Sequence, residues 1–181
     1  MPKKLDQIKY LRRMRSEKFL NSRRFAFPHS KQELIVTRKA LEIFSTYRQK
    51  EDEPEAGGLL FAEFDFPLIL VVEASPPNVA DKRWRTLFIP NRILQRRLIR
   101  QYFDKGLHFI GEWHTHPEPK PTPSRLDLNS MADAFRKSQH ELDCFIMTIV
   151  GNQMERLELW VSAHNGSEYS RLDETTQRAA V

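Results

Sequence analysis

The sequence predicts a single α/β domain, one mixed sheet flanked by helices, and three observations predict it. At 181 residues the chain is of single-domain size, long enough to bury roughly 70% of the surface that its unfolded form exposes. Hydrophobic residues make up 40% and charged residues 29%, which is ordinary globular usage and excludes collagen-like, coiled-coil and wholly disordered classes. Short apolar runs alternate with segments of helical period, and no internal repeat, linker or second core divides them.

The elements follow in order. Residues 1 to 28 carry nine Lys and Arg against two acids, leaving twenty basic and twenty-two acidic residues in the remainder, so the net charge of +5 belongs to an N-terminal arm. Leu5, Ile8, Tyr10, Leu11, Met14, Phe19 and Leu20 could lay one apolar stripe along that arm. Its first reading is a solvated helix or loose extension packed on the domain, and the alternative is contact with a polyanion or partner. Next, Leu34, Ile35, Ala40, Leu41, Ile43, Phe44 and Tyr47 become helical after a possible cap at Thr37, which predicts a helix over 37–50. Pro54 breaks it, and GGLLFAEFDF and PLILVVEAS read as two strands joined by a turn around Asp65 to Pro67. RWRTLFIP reads as one strand alternating Trp84, Thr86 and Phe88, with Pro90 stopping it.

A helix over 91–104 follows, ended by Gly106. Its arginines Arg92, Arg96, Arg97 and Arg100 are expected on a solvated face, with Ile93, Leu94, Leu98 and Ile99 turned inward. LHFIGEWHTH is a short strand that runs into a His pair, and PEPKPTP is a loop. Ser124 and Asp127 open a helix carrying Leu128, Met131 and Phe135 inward, and CFIMTIVG and RLELWVSA are the closing strands. The domain is expected over 29–165, with a polar tail over 166–181. The longest apolar runs are far short of the about 20 residues that span a bilayer, and no signal-like segment opens the chain, so a soluble, cytoplasmic protein is expected. The single Cys144 lies inside an apolar run and reads as a core residue rather than a nucleophile.

One stretch carries chemistry, GEWHTHPEPKPTPSRLDLNSM. His114 and His116 are two apart on a strand, so their side chains leave the same face and can converge on one ion. Asp127 lies eleven residues beyond. Two neutral imidazoles and a carboxylate are one ligand set of a catalytic zinc, with a fourth position open to water, and two imidazoles argue for Zn2+ or a neighbour in its series over Mg2+ or Ca2+. Each piece also has a plain structural reading. An H-x-H pair is commonly two loop histidines, and Ser124-x-x-Asp127 is the pattern of a helix capping box. The cap and the ligand are compatible, because a capped helix start is a rigid place from which to aim a side chain.

The combination of Glu55 in EAGGLLFA, His114-Thr115-His116-Pro117, Ser124 and Asp127 resembles the JAMM motif of the JAB/MPN metallopeptidases, over roughly residues 30 to 162. The rival zinc signature, that of nucleobase deaminases, needs a P-C-x-x-C that one cysteine cannot supply. The resemblance implies a JAB/MPN, cytidine-deaminase-like architecture, zinc on His114, His116 and Asp127, Glu55 as general base, and Ser124 as donor to the oxyanion. Glu51, Glu53, Glu63 and Glu112 also lie near the motif. The family pattern selects Glu55, and Glu112, two residues before His114, is left as a group beside the ligands or the substrate. The GEWHTHPEP core is most similar to the deubiquitinase-like isopeptidases of bacterial CBASS anti-phage operons. That similarity implies hydrolysis after the C-terminal tail of a ubiquitin-like modifier or a conjugated cGAS-like nucleotidyltransferase. Sulfur-carrier, phage-tail or cell-wall substrates, a metal-free scaffold, and nucleic-acid binding through the basic arm are the alternatives; the scaffold is disfavoured because every ligand position of the motif is filled, and no nucleic acid or membrane partner is expected.

Overall fold

Apolar β-branched runs form the centre of the molecule because each can bury both of its faces. The computed structural model describes residues 19–175. Eleven strands and three helices are arranged within them as β1 (Arg23–Ala26), β2 (Glu33–Val36), α1 (Arg38–Thr46), β3 (Gly57–Asp65), β4 (Leu68–Ala74), β5 (Lys82–Trp84), β6 (Leu87–Ile89), α2 (Arg92–Phe103), β7 (His108–Thr115), α3 (Arg125–Lys137), β8 (Phe145–Val150), β9 (Leu159–His164), β10 (Tyr169–Arg171) and β11 (Asp173–Thr175). Nine strands make one sheet in the order β10-β9-β8-β7-β3-β4-β2-β1-β11, and β5 and β6 pair apart from it. The β2–β4 and β7–β8 pairs are parallel, and the rest are antiparallel.

Every residue of β8 is buried, as expected of a strand covered on both faces. Its Ile146 and Val150 join Phe44, Leu60, Val71 and Trp113 under α1, while Phe145, Met147 and Ile149 pack with Met131 of α3. The mixed α/β class expected from the sequence is the one observed. No helix among the described residues is long and apolar enough to cross a membrane.

Several expectations are corrected. RWRTLFIP is a hairpin, because Arg85 and Thr86 turn the chain and pair β5 with β6. Thr37 precedes α1 without capping it through its side chain; its hydroxyl donates instead to the Val71 carbonyl at 2.8 Å. Ile93 points outward and is 73% exposed. The sheet takes in strands on both sides of residues 29–165. Arg23–Ala26 belongs to the sheet, held by Phe25, which is buried in the core, and β10 and β11 extend the sheet beyond 165 around the buried Leu172. The arm's residues 1 to 18 and the tail's 176 to 181 lie outside the described residues.

Candidate active site

The site stands where β7 ends between β3 and β8. Thr115 donates its N–H to Ala56 O at 2.8 Å and accepts from Ala56 N–H on its hydroxyl at 2.9 Å, while His116 N–H donates to Val150 O at 2.9 Å. Those bonds fix the strand end from both sides. Trp113 turns to the α1 face, fully buried against Phe44, and its indole donates to Ser75 O at 2.9 Å. The period of two then sends Glu112 and His114 to the opposite face, under α3. Close approach is needed across β3. A Cβ on Gly58 would sit 2.1 Å from Ser75 O and 2.8 Å from the Trp113 indole nitrogen, so only glycine fits there.

The capping box expected at Ser124 is present. Its hydroxyl accepts from Asp127 N–H at 3.2 Å, and Asp127 Oδ2 accepts from Ser124 N–H at 2.7 Å. The same carboxylate faces both histidines. His114 Nε2 lies 3.4 Å from Oδ1, His116 Nε2 lies 3.4 Å from Oδ2, and the two Nε2 atoms are 3.1 Å apart. Asp127 therefore caps the helix and offers its carboxylate to the histidine pair at once. The donors of His114, His116 and Asp127 all lie within 4.8 Å of one another, and two imidazole nitrogens directed at each other beside a carboxylate are a donor set that fits a metal ion.

Electrostatics follow from burial and these contacts. Burial works against the Asp127 charge, but hydrogen bonds from His114 and His116, with Ser124 adding, hold its carboxyl far below the usual range. Burial also works against a charge on His116, yet the carboxylates of Asp127, Glu55 and Glu118 raise its pKa above the ordinary histidine value. Glu55 is only 5% exposed, and burial pushes its carboxyl up to about 7, against the attraction of His116 and with Asp127 and Glu118 adding to the rise. A carboxyl near neutrality can both accept and return a proton.

Glu55 is held by its backbone. Its N–H donates to Trp84 O at 2.8 Å, and Arg83 Nε donates to its carbonyl at 2.5 Å, so the β5–β6 hairpin clamps this residue. Buried Gln49 fastens the same loop by donating to Glu53 O and Arg85 O, both at 2.7 Å. Glu112 instead accepts from Arg92 Nη1 at 2.5 Å, across the cleft wall. The cleft, of about 440 Å³, brings Glu55, Glu112, His114, His116, Ser124 and Asp127 together, so all the sequence-predicted residues line one space. Two members were missed by sequence reasoning. Glu118 stands 3.4 Å from His116 Nδ1, a position that the carboxylate directly after HTHP could have signalled. Gln49 carried no signal. Cys144 is half-buried, and burial, with Asp143 adding, pushes its thiol up to about 11, which leaves it inert at neutral pH.

The chain is similar to known proteins in both sequence and fold. Residues 37–162 match the family model described as prokaryotic homologs of the JAB domain. A Pseudomonas aeruginosa protein named CD-NTase/cGAS isopeptidase is 33% identical over 144 residues, covering 77% of this chain and 90% of that protein. An Escherichia coli protein of the same name is 27% identical over 143 residues, covering 77% and 86%. The solution structure of a Desulfitobacterium hafniense protein shares the fold, with a TM-score of 0.56 at 18% identity, over 75% of this chain and 87% of that one.

Proposed function

The chain belongs to the family of prokaryotic JAB-domain homologues, and from that premise we propose that it is a zinc-dependent isopeptidase, cutting the amide bond after the C-terminal tail of a conjugated cGAS-like nucleotidyltransferase. The observation that carries this reading is the convergence of two imidazoles and one carboxylate in a cleft whose wall holds a buried glutamic acid. The relatives' name, CD-NTase/cGAS isopeptidase, supports the substrate class.

His114, His116 and Asp127 would hold the ion. When bound, zinc supplies Lewis acidity, lowering the pKa of water towards about 7 and polarising the scissile carbonyl. Glu118, at the Nδ1 side of His116, keeps that ring turned with Nε2 toward the other ligands. Glu55 takes the proton of the attacking water and returns it to the leaving amine, a base and then an acid. Ser124 Oγ uses a lone pair in the cap, which leaves its O–H free to donate to the oxyanion. Glu112 is engaged by Arg92, and the base role falls to Glu55.

The test is a cGAS-like nucleotidyltransferase fused to a reporter through its own C-terminus. The purified protein cuts the fusion at the junction, a chelator stops the reaction and added zinc restores it. A fusion left intact at enzyme concentrations that cleave a sulfur-carrier conjugate refutes the substrate assignment, and a protein that takes up no zinc refutes the metal.

A further inference from the structure

The helix α2 meets the sheet side of the molecule through Leu94, Gln95, Leu98, Ile99 and Tyr102, all half-buried, and has no fully buried residue. Its outer face is unusual. Ile93, Arg96, Arg97 and Arg100 recur at i, i+3, i+4 and i+7, so they form one stripe, and all four are exposed. Like charges at i, i+4 oppose helix formation, and α2 contains no acidic residue to offset them. Among the described residues, Arg92 is the one arginine of α2 that pairs with a carboxylate, leaving Arg96, Arg97 and Arg100 without an ion-pair partner. The stripe starts where the cleft ends. Arg92 and Ile89 line the cleft wall next to it, and Ile89 and Leu126 on the rim are 45% and 56% exposed.

We propose, on the basis of the isopeptidase reading, that this stripe docks an acidic patch on the folded body of the conjugate whose tail enters the cleft. Three unpaired guanidiniums call for carboxylates, and continuity with the cleft rim sets the patch beside the scissile tail. A protein surface is favoured over nucleic acid because Ile93, amid the arginines, and Ile89 and Leu126 beside them need apolar partners, which a phosphate backbone does not offer. The domain beyond the first 28 residues, moreover, carries twenty basic against twenty-two acidic residues. The tail supplies the bond to be cut, and the stripe selects the body that the tail comes from.

The experiment compares wild type with the Arg96→Glu/Arg100→Glu and Arg96→Lys/Arg100→Lys variants, on the nucleotidyltransferase fusion and on a short peptide of its tail. Melting curves check that both variants are folded, and Ile93→Ser gives an independent single change. On the fusion, charge reversal raises KM by about tenfold, leaves kcat in place and removes the salt dependence of kcat/KM, while the lysine variant keeps wild-type values. On the peptide all the proteins are equal. Reversal that affects both substrates alike, or neither, overturns the proposal. So does a labelled duplex DNA that binds through these arginines while fusion kinetics stay unchanged, which assigns the stripe to nucleic acid. Wild type that cuts neither fusion nor peptide refutes the isopeptidase reading itself, a result distinct from wild type and reversal variant cutting the fusion equally.

Discussion

Replacing Glu55 by Gln should stabilise the metal-free protein while slowing hydrolysis steeply. Burial moves this carboxyl from the usual 4.5 to about 7, so the folded protein keeps its proton across that window while the unfolded chain has released its own. Wild-type stability therefore falls as pH rises from 4.5 to about 7, then levels off. The gap between the two values corresponds to about 3 kcal/mol, at 1.36 kcal/mol per pH unit, and little solvent reaches the group to screen it. Gln has no charge to bury. Below pH 4.5 the variant and wild type should melt alike, and above pH 7 the variant should be more stable by up to about 3 kcal/mol, or on the order of 6 to 12 °C for a domain of this size. Urea and thermal unfolding in chelator at pH 5 and pH 8 measures both ends. Bound zinc should shrink the gain, since a cation offsets the charge, and kcat of the zinc form should drop by at least about 10². A variant no more stable than wild type at pH 8, or equally stabilised at both pH values, would refute the reasoning.

Metal analysis should find close to one zinc per wild-type chain, and far less in His116→Ala, which removes a donor 3.4 Å from Asp127. Ser124→Ala should lose about 1 kcal/mol of stability with the cap and about 10² to 10³ in kcat with the donor, read by unfolding and by turnover on the fusion. His164, buried against Ser162 and stacked on Tyr169, has its pKa pushed down to about 4 by burial. The unfolded chain then binds the extra proton first, so up to about 3 kcal/mol of stability should be lost as pH falls from 6.5 to about 4, and His164→Gln should flatten that limb of the unfolding profile.

Most of the central sheet was legible in the sequence, because β3, β4, β7, β8 and β9 are apolar enough to declare themselves. RRFA, YSR and DET were not, since β1, β10 and β11 are short, charged and near the sheet edges, where pairing with a neighbour decides the conformation. In α2 the apolar period put Ile93 inside, yet the helix touches the sheet through a face one step round, which the pattern alone could not fix. The residues gathered at the candidate site were almost all singled out from the sequence, because most of them come from one strand end and the next helix start. Glu118 was within reach of the same logic. Gln49 and Arg83 were not, because what they hold is backbone carbonyl, for which many side chains in a sequence could serve equally.

The Asp127 that both caps α3 and faces the histidines also sets an order of assembly. His114, His116 and Asp127 all fall within residues 114 to 127, a short loop whose closure entropy is small, whereas the Glu55 segment is tied to β7 through an Ala56–Thr115 contact 59 residues apart. On the proposed reading, a refolding chain should regain its ion before it regains its base, and pass through forms that hold metal without cutting. Metal uptake and hydrolysis followed together during refolding should separate in time, with hydrolysis arriving second. On that reading, a nascent chain would not act on its neighbours until its long-range pairing was complete.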